Sequence, residues 1–247
     1  ALPMGAASYA HGGTLAEAVV THASGVRFSS QGDEAERNIA RRALADSVVA
    51  DTTALFFLAT LPEELQSALA GAFAGLGVSA DQFRDAVTGL SQAERFGYAT
   101  SIAGPLRGPV ALRARLSDEA GLDVGRLSGL VELMRPLVRH ERPRTTARDR
   151  AAEIREDTWY AAAAVASDTR ALWSDDRTLN ILATEFDVRS FSTPVLLDVL
   201  EEDGRLPPEV VQEVRAHLVA QRYVQVEFDE NVFARAMTLQ PGAAMND

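Results

Sequence analysis

Ser47-Val48-Val49-Ala50-Asp51-Thr52-Thr53-Ala54-Leu55 is the stretch on which the fold turns. Ser47 to Ala50 is a short apolar run, as expected of a strand buried on both faces of a parallel sheet. It stops at an acid, and a helical stretch follows at once. The same unit recurs along the chain. Leu76-Gly77-Val78 reads as a second strand, after which Ser79 supplies an N-cap for a helix with Phe83, Val87 and Leu90 on one face. Ala171-Leu172-Trp173 is a third strand, ending in Ser174-Asp175-Asp176 and followed by a helix from Arg177 to Glu185. Val188-Arg189-Ser190-Phe191 is a fourth, and Thr193 with Pro194 opens the next helix. Strands alternating with helices specify an α/β fold with a mostly parallel central sheet.

Outside these units the pattern is looser. Residues 1–46 read as an N-terminal extension or the tail of a preceding domain, with short helices at Leu15 to Thr21 and Asp33 to Leu44. The lack of an initiator Met fits either a piece of a longer polypeptide or processing of the N-terminus. Residues 101–150 carry Pro105, Pro109, Pro136 and Pro143, with one helix expected from Val124 to Arg139. Thr145 to Val165 is strongly helical in pattern. The domain is therefore expected to span 47–247, with an insertion at about 100–150 and a helical C-terminal tail.

Composition narrows the function classes. The chain has 247 residues, 47% hydrophobic and 24% charged, and a formal charge of −11. That charge argues against coating nucleic acid by bulk electrostatics, though not against a local grip. No apolar run reaches the roughly 18 residues of a membrane span, and no signal peptide is expected at the start. Absence of cysteine excludes disulfides, zinc-thiolate sites and thiol nucleophiles, and a cytoplasmic location is expected. All 24 basic residues are arginine, which removes Schiff-base lysines and a P-loop of the GxxxxGK[ST] kind.

The chemistry is expected from acids. Asp51 follows the first strand and Asp175-Asp176 the third, and the carboxyl ends of parallel strands border one crevice. Asp157, at the head of the helix Thr158 to Val165, would sit at the same edge. Carboxylates gathered in one pocket raise one another's pKa unless cations neutralise them. Mg²⁺ or Mn²⁺, hard cations that prefer oxygen, would do so, and such ions activate water against a phosphodiester.

With these pieces the sequence resembles the PIN-domain nucleases. The resemblance rests on Val48 to Leu55, on Asp157 with its alanine-rich helix, and on Leu172-Trp173-Ser174-Asp175-Asp176. It covers roughly residues 47 to 200, and the gap of 19 residues from Asp157 to Asp176 fits the family pattern. The family's further acid lies six residues after a Ser or Thr ending the second strand; counted from Ser79 this is Asp85, with Asp81 and Glu94 as rivals. Val188 through Leu197 is similar to a bacterial subgroup with a Phe-x-Thr element. The resemblance implies a three-layer α/β/α fold and a metal-dependent ribonuclease. Asp51, Asp85, Asp157 and Asp176 would be catalytic, with Asp175 as an additional ligand beside Asp51, Asp157 and Asp176. Thr53 and Ser174 would orient water or phosphate. It also makes a homodimer or a larger multidomain assembly an expectation.

Other readings of these residues stay open. Asp51 and Asp157 each suit a helix N-cap, and Asp175-Asp176 suits a turn. The arginines from Arg135 to Arg155, Arg148 and Arg150 among them, read either as an RNA-phosphate clamp or as a solvated face paired with Glu141, Asp149, Glu153 and Glu156. A PIN-like module that cuts nothing and serves a larger assembly is the alternative function. A HAD phosphatase would need a second Asp where Thr53 stands, and a receiver domain would need a lysine.

Overall fold

The computed structural model describes residues 14–21, 27–28, 32–96, 101–103, 111–113, 117–142, 158–166 and 170–239. Nine strands occur among them: β1 (Arg27–Phe28), β2 (Ser47–Ala50), β3 (Gly75–Ser79), β4 (Ser101–Ala103), β5 (Ala111–Arg113), β6 (Val138–His140), β7 (Ala171–Trp173), β8 (Ser190–Phe191) and β9 (Tyr223–Val224). Five build one sheet in the order β6-β3-β2-β7-β8. Every pairing in it is parallel. β1 lies parallel to β9, and β4 and β5 form an antiparallel pair.

Eleven helices occur among the described residues: α1 (Leu15–Thr21), α2 (Glu34–Ala43), α3 (Thr52–Ala59), α4 (Glu63–Ala70), α5 (Ala80–Phe96), α6 (Ser117–Met134), α7 (Ala161–Ala166), α8 (Arg177–Glu185), α9 (Thr193–Glu202), α10 (Pro208–Ala220) and α11 (Glu230–Leu239). A 3₁₀ turn, Thr158–Tyr160, precedes α7.

The two-residue period of a strand sorts the sheet into faces. Val48 and Ala50 of β2, with Ala171 and Trp173 of β7, enter a large core with α1, α2, α3 and α9. Val49 and Leu172, the residues between, enter a second core with Trp159, Tyr160, the alanines of α7, Leu179 and Ala183. Helices thus cover both faces, and the three-layer α/β/α architecture follows. Six small residues in a row, Ala161 to Ala166, are all buried, which lets α7 lie close against β2, β3 and β7. No helix of the described residues is long and apolar enough to cross a membrane.

The segment before Ser47 packs onto this body. Leu15, Ala16, Val19 and Val20 of α1 are buried against α5, α3 and α6. On α2, buried Glu36 accepts hydrogen bonds from the Ser192 N–H (2.9 Å) and hydroxyl (2.6 Å) at the head of α9.

Three local expectations are corrected. The helix expected over Val124 to Arg139 ends at Met134, and Val138–His140 instead forms the edge strand β6 beside β3. Pro136, which lacks an N–H, falls in the turn between them. On α5 the buried positions are Ala80, Gln82, Asp85, Ala86, Gly89 and Ala93; Phe83 and Leu90 pack half-buried against the core as expected, whereas Val87 is exposed. Small and polar side chains face inward there because α1 lies directly on them. β8 is shorter than expected, starting at Ser190; Asp187, at φ 60°, turns the chain just before it.

Candidate active site

The carboxyl ends of the three central strands carry the candidate residues. β2 runs straight into α3, and Asp51 stands at the junction with extended backbone while α3 begins behind it. Its Oδ1 accepts from the Thr53 N–H (3.0 Å), the Ala54 N–H (3.1 Å) and the Thr53 hydroxyl (2.6 Å). Asp176 repeats this at the head of α8, its Oδ1 accepting from the Thr178 and Leu179 N–H groups at 2.9 and 3.1 Å. Both acids are therefore helix N-caps, where a carboxylate meets free N–H groups and the positive end of the helix dipole.

Capping does not explain their closeness. β2 and β7 are neighbours, and the Asp51 N–H donates to the Trp173 carbonyl at 2.9 Å. The Thr53 hydroxyl then spans the two strand ends, donating to Asp51 and accepting from the Asp175 N–H at 2.9 Å. Burial pushes the Asp51 carboxyl up to about 7. The bonds from Thr53 and Ala54 oppose this, and the negative charges of Asp176 and Asp175 add to it.

Asp175 faces elsewhere. Its Oδ1 accepts from the Thr193 N–H (2.8 Å), and its Oδ2 accepts from the Thr193 hydroxyl (2.7 Å) and the Tyr223 hydroxyl (3.1 Å). Thr193 also accepts from the Trp173 indole at 2.9 Å. Asp175 thus ties β7 to the head of α9 and to β9. Ser174 is buried, and its hydroxyl accepts from the Asp176 N–H at 3.1 Å. Thr53 and Ser174 thus bond the turns that carry the acids.

The rival acids of α5 separate clearly. Asp85 is buried, and its Oδ2 accepts from the Ala16 N–H in the first turn of α1 at 3.1 Å. Asp81 pairs with Arg84 at 2.9 Å and with Arg142. Glu94 is exposed. Asp157, Arg148 and Arg150 lie outside the described residues. Of the arginine-rich span, Arg135 pairs with Glu132 and Arg139 lies over the Phe83 ring, while Glu141 pairs with Arg84.

The fold is a three-layer α/β/α sheet with Asp51 and Asp176 on adjacent strand ends, and sequence comparison decides the family. The family model for the PIN domain associated with the TPR-GreAB-C-PIN system matches residues 49–185. The chain belongs to this PIN-domain family. Neither the curated proteins nor the solved structures compared with the chain gave a match. The matched span of the PIN domain runs from β2 to the end of α8, so it takes in both capping acids.

One residue escaped the sequence reading. Gln82, in the first turn of α5, is 1% exposed, and its Nε2 donates to the Thr52 hydroxyl at 3.2 Å. The available signal was its place three residues beyond Ser79, on the strand-end side of Asp85.

Proposed function

We propose that this PIN domain is a metal-dependent endoribonuclease that hydrolyses phosphodiester bonds at the carboxyl edge of β2 and β7. The observation that carries the reading is the pairing of Asp51 and Asp176 on adjacent strand ends, with Asp51 buried and held up to about 7. A lone N-cap has no need of a second carboxylate beside it. A neighbouring cation returns such a group to its charged form.

The donor set suits Mg²⁺ or Mn²⁺, since every candidate atom is a hard oxygen. Among the described residues no three His, Asp or Glu side chains group closely enough to hold a metal. Asp51 and Asp176 would hold the ion, Asp157 would complete the set, and Asp175 would fix the β7 turn that presents Asp176. Bound Mg²⁺ or Mn²⁺ supplies positive charge for the phosphate and lowers the pKa of water. Thr53 sets the spacing of the two strand ends, and the helix N-termini of α3 and α8 add positive potential for an anionic substrate. Arg148 and Arg150 would grip the RNA backbone. The expected setting is cytoplasmic.

A second reading is a PIN module that cuts nothing and serves an assembly. Two observations favour it: the family model is named for a TPR-GreAB-C-PIN system, and Asp85 already bonds the Ala16 N–H of α1. Cleavage of end-labelled single-stranded RNA with Mn²⁺ or with EDTA separates the two. Cutting with Mn²⁺ that stops in EDTA supports the nuclease. Silence in both, with the fold intact, supports the module.

A further inference from the structure

We propose that Gln82 is a ligand-binding member of the carboxylate site, its amide oxygen facing the divalent cation held by Asp51 and Asp176. The inference rests on the nuclease reading and extends its site to the β3 side. Gln82 is almost wholly buried, and its one hydrogen bond runs from Nε2 to the Thr52 hydroxyl. Its Oε1 is buried without any protein partner. A buried amide oxygen left unpaired is costly, and folds that keep one generally give it an ordered water, a ligand or an ion.

The position is specific. β2 lies between β3 and β7, so Asp51 has a neighbour on either hand. On the β7 side, Thr53 bonds the Asp175 N–H. On the β3 side, Thr52 takes the corresponding bond from Gln82. The two threonines that follow Asp51 thus clasp the head of α3 to the first turn of α5 on one side and to the turn after β7 on the other. All of the hydrogen bonds that Asp51 accepts fall on Oδ1, which leaves Oδ2 outside the cap. Asp85, one turn further along α5, points its Oδ2 at α1. Gln82 is therefore the α5 side chain that reaches the head of α3. A neutral amide oxygen is an ordinary ligand for hard divalent cations, directly or through a water, and it adds no further negative charge beside two carboxylates.

The test is Mn²⁺ titration calorimetry with melting curves on the full chain, comparing wild type, Gln82→Met and Gln82→Glu. Gln82→Met is expected to weaken Mn²⁺ binding about tenfold while shifting the metal-free melting temperature by only a few degrees. In Gln82→Glu the bond to Thr52 reverses, the Thr52 hydroxyl donating to the carboxylate, and the variant is expected to tighten Mn²⁺ binding and to lower the metal-free melting temperature. If Gln82→Met fails to fold, the Glu variant carries the test alone. Mn²⁺ binding equal to wild type in the folded variants overturns the role of Gln82 and leaves the nuclease reading standing. No Mn²⁺ binding by wild type overturns both.

Discussion

At the residue scale, one carboxylate can be a cap and a reactive group at once, and what separates the roles is its neighbour. Asp51 titrates near 7 in the fold against about 3.9 in an unfolded chain. Between those values the folded state binds the extra proton, so stability falls as pH rises from about 4 to 7. The loss amounts to about 4 kcal/mol if Asp51 alone accounts for it. Urea unfolding with EDTA at pH 5 and pH 8 should show about 2.5 kcal/mol of that decline in wild type and a flatter profile in Asp51→Asn; equal slopes would contradict it. Asp175 behaves differently. It accepts three hydrogen bonds from Thr193 and Tyr223, so Asp175→Ala strands three buried donors. It should cost about 3 kcal/mol of unfolding free energy, whereas Asp176→Asn keeps an N-cap residue and should cost less than about 1 kcal/mol.

At the element scale, β6 shows how far sequence reading reaches. Ser47–Ala50 and Ala171–Trp173 are legible because a short apolar run before an acid admits few other readings. Val138–His140 is not legible, since an edge strand with exposed Val138 and Arg139 lacks the apolar signature. The buried face of α5 is legible only in part: hydrophobic size points to Phe83, Val87 and Leu90, of which Val87 is exposed, and the contact with α1 needs small residues such as Ala86 and Gly89. Capping by Asp51 is legible from position, whereas Asp176 reads as a turn residue and instead caps α8. The bonds of Asp175 to Thr193 and Tyr223 are not legible, because they join residues 18 and 48 positions apart. β6 also depends on one glycine. A Cβ on Gly77 would collide with the His140 ring and sit 3.0 Å from the Val138 carbonyl. Gly77→Val should therefore displace β6 and cost about 1–3 kcal/mol, with amide exchange accelerated first at residues 138–140; unchanged protection there would contradict the packing.

At the scale of the whole molecule, the helices before Ser47 and the sheet behave as one packed body. Leu15, Ala16, Val19 and Val20 bury their side chains, and Glu36 anchors the head of α9. A chain starting at Asp33 should expose the Ala86 and Gly89 face of α5, free Asp85 from the Ala16 N–H, and melt well below wild type. An unchanged melting temperature would show α1 to be dispensable. The central claim is that Asp51 and Asp176 form a single site that cuts RNA with a divalent cation. It is tested most directly by Mn²⁺-dependent cleavage of single-stranded RNA by wild type, Asp51→Asn, Asp176→Asn and the double variant, purified side by side. Residues acting as one unit give strongly non-additive losses. Each single variant is predicted to abolish cleavage, with the double variant no worse than either. Full cleavage by folded Asp176→Asn, or losses that simply add, would contradict the account.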